Sequence, residues 1–265
     1  MLYLLLIIKC IYWLFYYDLL FGADAVFYSK PYPIKGLKDL AFLLYGSQSA
    51  SLALYFIIPV IILAAVNLIY SKLYFITDFI LWFLIINLHN KIYASLSGGD
   101  YLLNQFLLFN CVLSSYFAKP ANGRFPVKIL LHNFGVVAIM AQVVLVYALS
   151  ALAKLNDHNW LSGNAVWLVS QTGHFSLPLL AALSKSTAPL FIFLNYCVLL
   201  YQCTFPFLVW LKRIKKPFVI AGILMHVYIA LAMGLVSFGL IMLIAYVYFW
   251  PFGLQNLTTK STEKK

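Results

Sequence analysis

Long apolar runs, separated by short polar punctuation, make up almost the whole chain. Runs at about 2–21, 50–70, 73–90, 101–117, 129–153 and 187–211 each come near the length that one α-helix needs to cross a bilayer. None alternates with a period of two, which argues against a membrane β-barrel. Pro59 predicts a kink inside the second run. The last run, Phe218–Trp250, would make about 50 Å of helix against a hydrocarbon core of about 30 Å, so it predicts two helices with a break at Gly234 or Gly239. The segment Ala165–Leu183 is interrupted by Gln171-Thr-Gly-His174 and by Pro178, and reads as interfacial or re-entrant. A loop at 22–49, with Pro31 and Pro33, leaves room for a short interfacial piece around Leu40–Tyr45. The pattern predicts an all-α polytopic transmembrane bundle of about eight membrane-embedded helices in a single domain, 1–253, followed by a polar basic tail, 254–265.

Composition points the same way. Hydrophobic residues are 64% of the chain and charged residues only 9%, where a soluble domain carries about a quarter charged. The net charge of +11 is spread over short loops and the tail, which suits lipid headgroups and excludes a nucleic-acid partner. Cys10, Cys111, Cys197 and Cys203 lie in apolar runs without metal-ligand spacing, and are expected to be small buried hydrophobes. No metal site is expected. Leu2–Phe21 lacks the basic start and small-residue cleavage site of a signal peptide, so it is kept as the first helix. It carries Lys9 and Asp18, which are too far apart to pair with each other and must snorkel or find partners on other helices.

With eight crossings, Lys72, Lys119, Arg124, Lys128 and the Lys212–Lys216 cluster fall on the side of the termini. Lys30, Lys35, Lys38, Lys91, Lys154 and Lys185 fall on the other. The bias puts both termini in the cytoplasm of a multi-pass cell-membrane protein. The same alternation brings the end of the third helix (His89), the start of the fourth (Asp100) and the end of the fifth (Lys154) to the outer face. His226 lies about 12 Å into the seventh helix. Lys154 with Trp160 also fits an ordinary membrane anchor, His89 a helix-end cation, Asp100 an N-cap, and His226 a bond to a neighbouring helix. His132, His158 and His174 read as loop or interface residues. If the set is functional, Lys154 is its general base, because desolvation favours the neutral amine that can take a proton; a nearby Asp100 would oppose this by favouring the cation.

Two stretches carry a family resemblance: Asn87-Leu-His-Asn with Gly98-Gly-Asp-Tyr-Leu-Leu103, and Ala153-Lys-Leu-Asn-Asp-His-Asn-Trp-Leu-Ser-Gly-Asn-Ala165. Met225-His226 and the helix bearing Phe238 are a weaker third. The chain resembles the horizontally transferred transmembrane (HTTM) domain, the membrane domain of the vitamin K-dependent gamma-glutamyl carboxylases. The resemblance implies an all-helical bundle, reduced quinone as cofactor, and Lys154 as the base that deprotonates it before a glutamate proton is abstracted. The carboxylases have a histidine where this chain has Asp100, and a counterpart of their large peptide-holding domain is not expected in the residues after Pro251. The chain is thus similar to short stand-alone relatives, such as the sporulation-delaying-protein B family of bacterial membrane proteins.

The expected function is modification or maturation of an exported, antimicrobial-type peptide. The expected partners are membrane lipids, that peptide and a small partner protein. The alternative is a non-enzymatic scaffold or a quinone- or lipid-binding subunit. A proton-linked transporter using Lys9, Asp18 and His226 is a third reading.

Overall fold

The computed structural model describes residues 1–22, 25, 43–44, 50–70, 75–113, 126–172 and 187–250. All regular structure among them is helical: α1 (Leu2–Phe15), α2 (Tyr17–Phe21), α3 (Leu54–Tyr70, preceded by a 3₁₀ turn), α4 (Phe75–Lys91), α5 (Gly98–Leu113), α6 (Pro126–Leu155), α7 (His158–Leu161), α8 (Ala165–Gln171), α9 (Ala188–Leu208), α10 (Lys215–Ala232) and α11 (Val236–Phe249). Four segments are long and apolar enough to cross a membrane: Ser51–Tyr70, Leu130–Leu155, Pro189–Leu208 and Lys215–Ala232. Leu2–Phe15 and Val236–Phe249 are apolar but shorter. Among the described residues, then, four helices reach full spanning length, where about eight membrane-embedded helices are expected of the whole chain. Tyr55, Ile69, Phe134, Leu200 and Leu224 turn outward, a surface compatible with lipid as the solvent.

Helix ends follow local chemistry. The first apolar run breaks at Tyr16 (φ −107°, ψ 29°), within the aromatic sequence Phe15-Tyr-Tyr17, whose members are poorer helix formers than their aliphatic neighbours. α5 starts earlier than the apolar pattern suggests because Ser97 and Asp100 form half of a capping box. Asp100 Oδ2 accepts the Ser97 amide (2.7 Å) and the Ser97 hydroxyl (3.0 Å). The last run does divide at Gly234, which takes φ 69°, and the Leu235 amide reaches back to the Ile229 carbonyl. Gly239 is not a break. It lies inside α11, where a Cβ would strike Ala230 and the His226 carbonyl, so its role is to let α10 and α11 pack closely.

The chain divides into two compact units, Met1–Val137 and Ala138–Lys265, with α6 starting in the first and ending in the second. In the first, α1 packs on α3, α3 on α4, and α4 on α5. Its centre is a buried carboxylate, Asp78 of α4. Asp78 Oδ1 accepts from the Tyr3 hydroxyl (2.8 Å) and Asn67 Nδ2 (3.2 Å), while Oδ2 accepts from Asn110 Nδ2 (3.1 Å), which also donates to Tyr3 (2.9 Å). One side chain thereby ties α1, α3, α4 and α5. In the second unit α7 and α8 pack on α9, α9 on α10, and α10 on α11.

Of the expectations above, the segment Leu40–Tyr45 apart from residues 43–44, the part of Ala165–Leu183 beyond Thr172, His174, Lys185 and the tail lie outside the described residues. All four cysteines are free. Cys10 and Cys111 are buried as expected, but Cys197 is exposed and Cys203 half-buried.

Asp78→Ala leaves three buried donors without their acceptor and should lower stability by about 3 kcal/mol or more. Asp78→Asn, which keeps one carbonyl oxygen for the Tyr3 hydroxyl, should cost clearly less. Denaturant unfolding of the detergent-solubilised protein measures both; equal losses would mean that the carboxylate is not the acceptor at this junction.

Candidate functional site

The four candidate residues fall into two groups. His89 and Asp100 belong to the first unit, Lys154 and His226 to the second.

In the first unit Asp100 forms an ion pair with Lys9 of α1, so this lysine finds its partner on another helix, as expected. Lys9 Nζ also sits over the Trp13 ring, 5.1 Å from its centroid. The same indole meets the edge of the fully buried His89 ring at 5.5 Å. His89 Nδ1 bonds Asn104 Oδ1 at 2.7 Å, one turn beyond Asp100, while Nε2 has no partner among the described residues. Asn87, one turn earlier than Lys91 on α4, accepts the Leu43 amide at 2.8 Å and donates to the Phe83 carbonyl at 3.0 Å. This group is closed upon itself: the carboxylate is neutralised and held by the start of its own helix.

The second unit is built differently. Lys154 ends α6, and Asp157 caps α7 by accepting the amides of Asn159 (2.8 Å) and Trp160 (3.4 Å). Gly163 (φ 84°) then reverses the chain against Ile192 and Tyr196 of α9, where a Cβ would crowd both side chains. Three bonds pin this turn to α9. Asn195 Nδ2 donates to the Trp160 carbonyl (2.9 Å), Asn195 Oδ1 accepts the Val166 amide (3.4 Å), and the Tyr196 hydroxyl donates to the Leu161 carbonyl (2.9 Å). Trp160 is thereby fixed with its ring 4.7 Å from Lys154 Nζ. Lys154 has no hydrogen-bond or ion-pair partner among the described residues.

Lys154 and Trp160 line a cavity of about 590 Å³ in this unit. That volume is within the range of small-molecule sites, about 300 to 1,000 Å³. Its walls are mostly apolar, including Val169, Leu194, Met225 and Phe238. Ser150, one turn before Lys154, and Gln202 of α9 are polar exceptions.

His226 lies behind this wall. It is buried, with its Nε2 2.7 Å from the Tyr147 hydroxyl and its ring 5.4 Å from Phe238. Tyr147 also bonds the Tyr246 hydroxyl, Tyr246 meets Tyr201 at 3.1 Å, and Tyr201 donates to the Phe218 carbonyl at 3.2 Å. Read from an Nε2–H donor at His226, every hydroxyl in the chain both donates and accepts, ending at that carbonyl; His226 Nδ1 then keeps a bare lone pair, matching its missing partner. Gly222 makes room for the network, since a Cβ there would strike the hydroxyls of Tyr201 and Tyr246. His226 therefore joins α6, α9, α10 and α11, and Tyr201 alone of the chain lines the cavity. Among the other histidines, His132 approaches the Leu113 carbonyl at 3.4 Å and His158 is exposed on α7.

Asn195, Tyr147 and Tyr246 are structural determinants that the sequence does not single out. Each sits inside an apolar run, where nothing local tells which face is inward. No group of histidine, cysteine or acidic residues able to hold a metal occurs among the described residues. Compared with family models, with curated proteins and with solved structures, the chain finds no match.

Tyr147→Phe removes the hydroxyl shared by His226 and Tyr246 without opening a cavity, and should cost about 1–3 kcal/mol by stranding buried groups. Unfolding of the purified variant checks this; an unchanged stability would mean that the hydroxyl chain does not hold the four helices together.

Proposed function

We propose that the chain is a multi-pass membrane protein of the HTTM kind, with cytoplasmic termini, in which Lys154 is a general base acting on a lipophilic molecule held in the cavity of the second unit. The observation that carries this reading is the setting of Lys154: an amine without a counter-ion among the described residues, on the wall of an apolar cavity and beneath a fixed indole. An anchoring lysine would extend to headgroups instead. In its neutral form the amine has a lone pair to accept a proton. Once protonated, the ammonium faces the Trp160 ring, whose π-face stabilises a cation.

A reduced quinone, the cofactor expected from the resemblance, suits these walls in size and in apolar character. When bound it would supply an acidic hydroxyl and an oxidisable ring. Ser150 and Lys154 would meet its polar head from α6, and Val169, Leu194 and Met225 its apolar remainder. The service of this chemistry is modification or maturation of an exported peptide, a reading that rests on the resemblance of Ala153–Ala165 to the family motif. Asp100 and His89 stand apart in this scheme. They form the ion-paired group with Lys9 in the first unit, and their role is to hold α1, α4 and α5.

A quinone- or lipid-binding subunit without chemistry is favoured by the same apolar walls, and one substitution separates the two. Arginine keeps the charge and cannot act as a base at ordinary pH. Cells carrying Lys154→Arg or Lys154→Met should make normal amounts of membrane-inserted protein but lose the exported-peptide products seen by mass spectrometry with the native chain. Native products from Lys154→Arg cells would exclude the base and leave a binding role.

A further inference from the structure

Of the residues that line the cavity, three are exposed: Cys197 of α9, and Ala221 and Leu224 of α10. The rest are half-buried or buried, including the polar members Ser150, Lys154, Ser170 and Tyr228. The exposed three share one place. α9 and α10 are joined by a short turn and close on each other just beyond it. There the Tyr201 and Phe218 rings stack at 4.6 Å, and the Tyr201 hydroxyl meets the Phe218 carbonyl. Cys197 lies one turn from Tyr201 along α9, and Ala221 and Leu224 lie one and nearly two turns from Phe218 along α10. They therefore flank the gap between the two helices, past the point of closure. Leu224 is 64% exposed although it also lines the cavity, so the wall is breached at this level. The other sides are shut. At the end that holds Lys154, the turn bearing Trp160 is pinned to α9 by Asn195 and Tyr196. The wall residues of α6, α8 and α11 are half-buried or buried.

We infer that the cavity opens sideways, through a slot between α9 and α10, and that its ligand enters from the hydrocarbon of the bilayer and not from water. Both helices are of spanning length, so the slot lies along the part of the molecule that lipid surrounds. Its lips carry a thiol, a methyl and an isobutyl group. An apolar solute passes them without losing any solvation, whereas an ion or a strongly hydrated solute would first have to shed its water. Cys197 and Ala221 are small, which keeps the slot open, and a larger side chain at either position would narrow it. The inference rests on the membrane reading and on the cavity being the site of Lys154. It adds the route, and its test separates the route from the role of the amine.

The full chain is reconstituted in phosphatidylcholine vesicles, and two reporters on the cavity wall are read by mass spectrometry. One is the Lys154 amine, treated with phenyl isothiocyanate. The other is a thiol placed on α10 by Met225→Cys, treated with N-phenylmaleimide in a chain that also carries Cys197→Ser and Cys203→Ser. Both reporters should be modified while the slot is open. Cys197→Trp together with Ala221→Trp sets an indole on each lip, at positions with room for it, and should abolish modification of both. Leu200→Trp, exposed on α9 but outside the cavity wall, should leave modification at its native rate. If the plugged chain does not fold, N-(1-pyrenyl)maleimide on Cys197 of the folded native chain supplies the bulk, and Lys154 is the readout. Unchanged modification in the plugged chain, or an equal loss from Leu200→Trp, overturns the inference. If Lys154 resists its reagent in the open chain while Met225→Cys is modified and sensitive to the plug, the reading of Lys154 fails and the slot stands. If neither reporter is modified in the open chain, both fall.

Discussion

One buried amide fixes what Lys154 can do. Asn195 of α9 holds the turn after α6 at two points, the Trp160 carbonyl and the Val166 amide. A lysine at the end of an apolar helix has a flexible stem and would otherwise carry its charge out to water or headgroups. With the turn pinned, the indole stays 4.7 Å from the amine, and Lys154 is part of a cavity wall. The same anchor explains the neighbouring residues. Asp157 starts the short helix that carries Trp160, and Gly163 supplies the positive φ that returns the chain to α9.

Both units hold together helices that are apolar on nearly every face, so that apolar contact alone gives little choice of partner. Interhelical hydrogen bonds then carry specificity. In the first unit the device is Asp78 with Tyr3, Asn67 and Asn110; in the second it is His226 with Tyr147, Tyr246 and Tyr201. Their chemical characters differ. In the first unit Lys9 pairs with Asp100, and Asp78 is met by three donors. In the second unit the Lys154 amine on the cavity wall has no such partner among the described residues.

Much of this was legible in the sequence wherever the cause is local. The helix positions follow the apolar runs, and the division of the last run follows Gly234; α5 starts earlier than its run predicts, with Asp100 inside the first turn accepting from Ser97 and not itself the N-cap. The turn at Lys154 stands out by its polar residues. What was not legible is direction. In a run where nearly every position is apolar, periodicity does not reveal an inward face, so Asn195, Tyr147 and Tyr246 look like their neighbours. Pairing at a distance is hidden for the same reason: Lys9 and Asp100 are 91 positions apart, and nothing local links them. The expectation that His89, Asp100 and Lys154 form one set came from alternating crossings. The structure associates the first two through Lys9 and Trp13, and Lys154 with Trp160 and the cavity.

The central claim is that the Lys154 amine belongs to an apolar cavity and not to the membrane surface. Amine labelling addresses it directly. Membranes holding the native chain are treated with phenyl isothiocyanate or with its sulfonated, water-soluble counterpart, and the peptide spanning Lys154 is quantified by mass spectrometry. An amine in the cavity is modified by the apolar reagent, spared by the sulfonated one, and protected by 1,4-naphthalenediol. Equal modification by both reagents, with no protection by the diol, would make Lys154 a surface anchor and contradict its role as a base.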